Sequence, residues 1–297
     1  GSLEWFSAQQ RTPQLGEQIA EQDEWREPAR MVDSAEFREL EPAVLFDDGW
    51  TAALSPNDGA VDPVVATEQL LAAATALGAR LEYPAELEAL SMAGGRLNAV
   101  ATSAGPVPAD RVVLATGAEP GITQAVAGIE IPQRSTPGII AITEPRPPVL
   151  NRIIAAPGIH MHQRNDGRVV IGEQDGVPDT EAHARRLVGR PNQFPADEIA
   201  QQHAARMLAT AARFAPEIED STIEHVYIGW RPLPLDGHPV IGPSPVRKDI
   251  YIAVMHSGVT LAPIAGRLAA QEVLSGEAVD ILAPYRANRD FALIKRY

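Results

Sequence analysis

"YIAVMHSGVTLAPIAGRLAAQEVLSGE", residues 251–277, decides how the rest of the chain is read. Tyr251 to Val254 is a β-type run, His256-Ser257-Gly258 is a turn, and an Ala- and Leu-rich helix follows at once. A strand that enters a helix through small polar residues places the first free N–H groups, near Val259 to Leu261, beside the strand end. Such groups attract negative charge. Ser257 and Gly258 carry too little side chain to hold a flat ring away from the backbone. The turn reads as a seat for an anion or a cofactor.

Outward from that turn, "ADRVVLATGAEP" (109–120) supplies a second buried β run, Arg111 to Ala115, which breaks at Gly117. Alone it is an ordinary strand and turn. Paired with the C-terminal turn it marks the strand-end crevice where open α/β sheets bind ligands. "SPNDGAVDP" (55–63) leads into a helix from Pro63 to about Leu77, with Asp62 as N-cap and Gly78 as its stop. "ARLEY" (79–83) reads as a strand, and residues 85–105 read as a hairpin turning at Gly94-Gly95. Residues 129–175, with "GIIAIT", "RIIAA", "IHMHQ" and "RVVIGE", read as an antiparallel meander with its tightest turn at Asn165-Asp166-Gly167. Residues 195–214 predict an amphipathic helix with Ile199, Met207, Leu208, Ala211 and Phe214 near one face. The first fifty residues, with Trp5, Trp25 and Trp50 among acidic neighbours, read as short helices joined by turns.

With 45% apolar and 22% charged residues, the 297-residue chain can bury a substantial core. A net charge of −14 argues against nucleic acid and anionic membrane surfaces as partners. The absence of cysteine removes disulfides, thiol catalysis and cysteine zinc sites, and no metal is expected. No run of 18 apolar residues and no signal-peptide pattern occurs, so a soluble, cytoplasmic protein is expected.

"GWRPLPLDGHPVIG" (229–242) holds Arg231 at the end of an apolar, Pro-rich strand. Two readings stand side by side. Arg231 pairs with Asp236, or its guanidinium waits for a substrate carboxylate, which its fork fits better than an ammonium would.

The order of these parts resembles the D-amino-acid oxidase family, which includes glycine and sarcosine oxidases and D-amino-acid dehydrogenases. The resemblance spans about Ala53 to Arg289. It implies FAD as cofactor, with Ala115, Thr116 and Gly117 lining it, Leu87 meeting the adenine, and Gly258 to Leu261 facing the flavin's pyrimidine edge beside Ser257. It implies Arg231 as the carboxylate clamp, His256 beside the flavin turn, and His162 or Gln163 facing the pocket from the meander, although a lone strand histidine is more often structural. The fold implied is α/β plus α+β. An FAD-binding part covers 52–127 and 236–297, and a mixed or antiparallel substrate part covers 128–235, with residues 1–51 attached to it.

One expected feature is missing. The family opens with a βαβ unit bearing G-x-G-x-x-G, and no such motif occurs in this sequence. At least one βαβ unit of roughly 30 residues is expected to be lacking, and with it the central parallel strand. Three accounts stay open: a longer enzyme of which this is part, a partner chain or second copy that supplies the unit, or loss of flavin binding. Two functions follow. One is an FAD-dependent oxidoreductase acting on the C–N bond of a small amino acid or amine. The other is a flavin-free or non-catalytic subunit of such an enzyme.

Overall fold

The structure, a computed structural model, describes residues 1–6, 12–173, 193–194 and 196–292. In chain order its elements are β1 (Ser2–Glu4), α1 (Thr12–Glu24), β2 (Arg30–Asp33), α2 (Ser34–Leu40), β3 (Thr51–Ser55) and α3 (Pro63–Ala76). There follow β4 (Leu87–Ala93), β5 (Arg96–Thr102), β6 (Gly105–Pro108), β7 (Val112–Leu114), α4 (Pro120–Ala127) and β8 (Gln133–Thr143). The remainder is β9 (Ile153–Ala156), β10 (Ile159–Gln163), β11 (Val169–Glu173), α5 (Asp197–Ala212), β12 (Ile223–Pro234), β13 (Val240–Pro243), β14 (Ile250–Val254) and α6 (Gly258–Ser275). The chain divides into two compact units, residues 1–61 with 137–230 and residues 62–136 with 231–297.

The first unit is built on a sheet ordered β12-β8-β11-β10-β9-β1-β3-β2. Three of the four expected meander strands stand in order: β9, β10 and β11 pair antiparallel in turn, and Gly167 takes φ +89° in the predicted tight turn, but β8 pairs with β11 and not with its chain neighbour β9. The first fifty residues differ from expectation. Besides α1 and α2 they give β1 and β2, and β1 lies inside the sheet, parallel to β9 and antiparallel to β3. A strand of three or four residues is too short to display alternation in sequence, so only its partners reveal it. Trp5 follows β1 into the core and meets the rings of Phe37, Phe46 and Phe214 edge-on at 5.2–5.6 Å. Such ring pairs each add about 0.5–1.5 kcal/mol beyond the area they bury. α5 packs across β10 and β11 and buries His203, Ala204, Met207 and Ala211; Ile199 and Leu208 of the expected face are only half-buried.

The second unit holds two small sheets, β13-β14-β7 and β4-β5-β6. β14 runs parallel to β7 and antiparallel to β13. Leu114, Ile250, Ile252, Val254 and Val240 form its core with Val126 and Ala127 of α4. α3 starts as the sequence requires, with the Asp62 carboxylate accepting from the Val64 and Val65 amides at 2.9 and 3.2 Å. Residues 79–83 are not a strand: all are exposed and no ladder partner reaches them. β7 is three residues long with Val113 47% exposed, so the run expected to be buried is an edge. Among the described residues nothing pairs with its outer side. α3 buries no side chain, although Val64, Val65 and Leu70 lie along it. Among the described residues, fourteen of the nineteen exposed large apolar ones fall in this unit, which marks it as the one with uncovered faces.

Candidate functional site

Two strand ends build the site. Because β7 and β14 run parallel, with Leu114 opposite Ile252, the segments that follow them emerge on the same side. Ala115-Thr116-Gly117 therefore stands beside Met255-His256-Ser257-Gly258 at the carboxyl end of a parallel pair. Gly117 takes φ +56°, and a β-carbon there would meet nothing within 4 Å. The Thr116 hydroxyl is spent on Thr123 of α4 at 2.5 Å, so Thr116 presents backbone to the opening. Leu87 opens β4 and packs against the core under β7 and β14.

The residue that bends the chain into α6 is Ser257, at φ +58°, a left-handed conformation that costs a non-glycine residue roughly 1 kcal/mol. Its hydroxyl does not cap the helix. It lies 2.8 Å from His256 Nδ1. The amides of Gly258, Val259 and Thr260 thus have neither an intrahelical acceptor nor a side-chain cap. Leu261 drops out of the expected set, because its N–H closes on the Ser257 carbonyl at 2.9 Å.

Arg231 is half-buried, and the pairing with Asp236 is not made. Asp236 instead accepts from Arg289 at 2.6 and 3.0 Å and from the His238 amide at 3.1 Å. Among the described residues Arg231 has no carboxylate partner. Its charge is felt by His256, whose pKa lies below the ordinary 6.5, first because burial disfavours the imidazolium and then because Arg231 is positive. Both causes favour the uncharged imidazole.

His162 belongs to the first unit. It shares the face of β10 opposite Met161, half-buried, with its pKa lowered by burial and by Arg164. Gln163 is not a pocket residue. Its Oε1 accepts from the Val149 and Leu150 amides at 2.7 and 3.2 Å, and its Nε2 donates to the Pro147 and Gly167 carbonyls at 2.9 and 2.8 Å. Every polar atom of that side chain fastens a loop. Arg134 was missed by sequence reasoning. Its Nε is buried without an acceptor, near the bend where the Pro132 carbonyl takes the Leu235 amide at 3.0 Å.

These residues fit the flavin end of FAD. Three unclaimed amides suit the negative N1–C2 edge of a reduced ring, and Gly117 and Gly258 leave backbone open to a flat surface. No group of three or more His, Asp or Glu suited to a metal occurs among the described residues. No helix among them is long and apolar enough to cross a membrane.

Comparison with known proteins gives the family and the fold. Residues 1–272 match the family described as FAD dependent oxidoreductase. Glycine oxidase of Geobacillus kaustophilus is 26% identical over 272 residues, which is 89% of this chain and 68% of that protein. Glycine oxidase of Pseudomonas aeruginosa is 30% identical over 197 residues, 65% of this chain and 49% of that one. The bifunctional protein ThiO/ThiG of Synechocystis is 26% identical over 87% of this chain and 37% of its own length. This chain thus spans half or less of some of these relatives. Among solved structures, L-proline dehydrogenase from P. horikoshii superposes with TM-score 0.83 at 22% identity, covering 97% of this chain and 75% of that one. Glycine oxidase from Geobacillus kaustophilus gives 0.81 at 23%, covering 98% and 75%. The mixed α/β architecture with several sheets is the one expected.

Proposed function

This chain belongs to the family of FAD-dependent oxidoreductases, and on that premise we propose that it oxidises the C–N bond of a small carboxylate-bearing amine of the glycine, sarcosine or D-amino-acid type. When bound, the flavin would supply the hydride acceptor; loss of a hydride from the α-carbon and a proton from nitrogen would leave an imine, which water would convert to an oxo acid or aldehyde and ammonia or an amine. Arg231 holds the substrate carboxylate, and the observation that carries the reading is a half-buried guanidinium with no carboxylate partner among the described residues, near enough to His256 at the strand-end site to help lower its pKa. His256 accepts or shares the amine proton while uncharged. Ala115 to Gly117 and the amides of Gly258 to Thr260 hold the flavin, and Leu87 lies toward the adenine. A cytoplasmic location belongs to the same reading.

The bare edge of β7 favours a second reading, in which this chain is a subunit or part that does not bind flavin by itself. A partner chain, or a second copy, would then supply the parallel strand and the glycine loop. The visible spectrum separates the two. A flavin band that stays with the chain through gel filtration, and bleaches anaerobically with a small amino acid, supports the first. A protein that remains colourless with excess FAD overturns it and leaves the second.

A further inference from the structure

The parallel pair β7 and β14 has a second end. At its amino end the chain turns through Asp110-Arg111 into β7 and through Val246 to Asp249 into β14, and the β4–β5 hairpin closes over both. Between them lies a cavity of about 900 Å³ whose charged lining is Arg96, Arg111, Arg247, Lys248, Asp110 and Asp249. Four cations against two carboxylates make a locally positive pocket on a chain of net charge −14.

None of the four cations forms an ion pair among the described residues. Arg111 donates to the Val273 carbonyl at the end of α6. Arg247 Nη2 finds only the Met92 sulfur, at 3.2 Å, a poor acceptor for a guanidinium. The Asp249 carboxylate is partly spent, accepting the Leu97 amide at 3.1 Å. The backbone that carries these side chains is fixed. The buried Ser244 hydroxyl donates to the Ala127 carbonyl at 2.7 Å and accepts from the Val246 and Arg247 amides at 3.3 and 3.2 Å. The Val112 amide ties the Asp249 carbonyl to β7 at 3.0 Å. Cations held together on a rigid turn repel one another, and an anion between them removes that cost.

We propose that this cavity binds a small phosphate-bearing anion with two or more charges. Guanidinium forks and a lysine approaching from separate elements suit a phosphate group, whose oxygens accept in several directions at once. The volume suits a small molecule. The site lies at the opposite end of β7 and β14 from the flavin turn, and it does not rest on the redox reading.

Calorimetric titration of the purified chain with tripolyphosphate, at about 50 mM salt where screening is weak, tests this, with citrate as the carboxylate comparison. Stoichiometric binding is expected, weakened on the order of tenfold by the double substitution R96A/K248A and strengthened by D110N. Circular dichroism establishes that the variants are folded, as expected for exposed side chains. Tripolyphosphate that gives no heat, or that binds R96A/K248A as tightly as the parent, overturns the site. Citrate that binds as tightly overturns the phosphate class.

Discussion

Asp236 closes on Arg289, at 2.6 Å to Nε and 3.0 Å to Nη2, and so leaves Arg231, five positions earlier, without a carboxylate among the described residues. Arg289 also stacks over Phe291 at 4.4 Å and donates to the His238 carbonyl at 3.0 Å, which makes the carboxy-terminal stretch the owner of Asp236. The clamp is available because a residue far along the chain has taken its alternative partner.

Arg231→Ala should therefore be visible even without cofactor. Removing the positive charge beside His256 raises the imidazole pKa, read by NMR titration of the histidine ring protons. In a catalytically competent preparation the same change should weaken carboxylate-substrate binding by about 2–3 kcal/mol. An unmoved His256 titration would remove Arg231 from that neighbourhood, and an unchanged kcat/KM would remove it as the clamp.

Stability should fall on mild acidification. His162 and His256 both have folded pKa values below the ordinary 6.5, so below pH 6.5 the unfolded chain binds protons that the folded chain resists. Their contribution is complete above pH 6.5 and is lost progressively as the pH drops toward the folded values. Urea denaturation at pH 7.5 and 5.5 measures the loss; a double substitution of both histidines by asparagine should flatten it.

Ser257→Gly should stabilise the chain by about 1 kcal/mol, because it relieves the left-handed backbone at φ +58° without removing a helix cap. The hydroxyl's contact with His256 Nδ1 is lost at the same time. A lower melting temperature for this variant would show that the contact outweighs the strain.

Glu272 anchors another part of the second unit. It is buried in α6, accepts from Tyr251 Oη at 2.6 Å and from the Val279 amide at 2.6 Å, and receives both terminal nitrogens of Arg286. Its own burial works against ionisation, yet these donors prevail and bring its pKa down to about 2. The stabilisation it supplies is present above the ordinary 4.5 and is lost only as the pH falls toward 2. Glu272→Gln, which leaves Arg286 without its counter-charge, should cost about 3 kcal/mol in chemical denaturation at pH 7.

Local signals in the sequence were read well. Asp62-Pro63 starts α3, Gly94-Gly95 turns the β4–β5 hairpin, Gly167 turns β10 into β11, and the strand–turn–helix at 250–275 stands as expected. Each is fixed by residues within a few positions of one another. What escaped was pairing across long separations. β1 is a strand only because β3 and β9 flank it, and residues 79–83 are not one because nothing flanks them. Gln163 looked like a pocket residue until its five loop partners were in place. At the candidate site the types were legible, but not which amide stays unclaimed, because the Leu261 N–H is decided by the pitch of the first helical turn.

α3 has a kinetic meaning as well as a structural one. A fourteen-residue helix with no buried side chain is held by little more than its own ladder and the Asp62 cap. Its amides should exchange with deuterated solvent through local opening, far faster than those of β14 in the core. Whatever covers Val64, Val65 and Leu70 would slow that exchange, so the protection of this one helix is a direct gauge of whether the chain has met its complement.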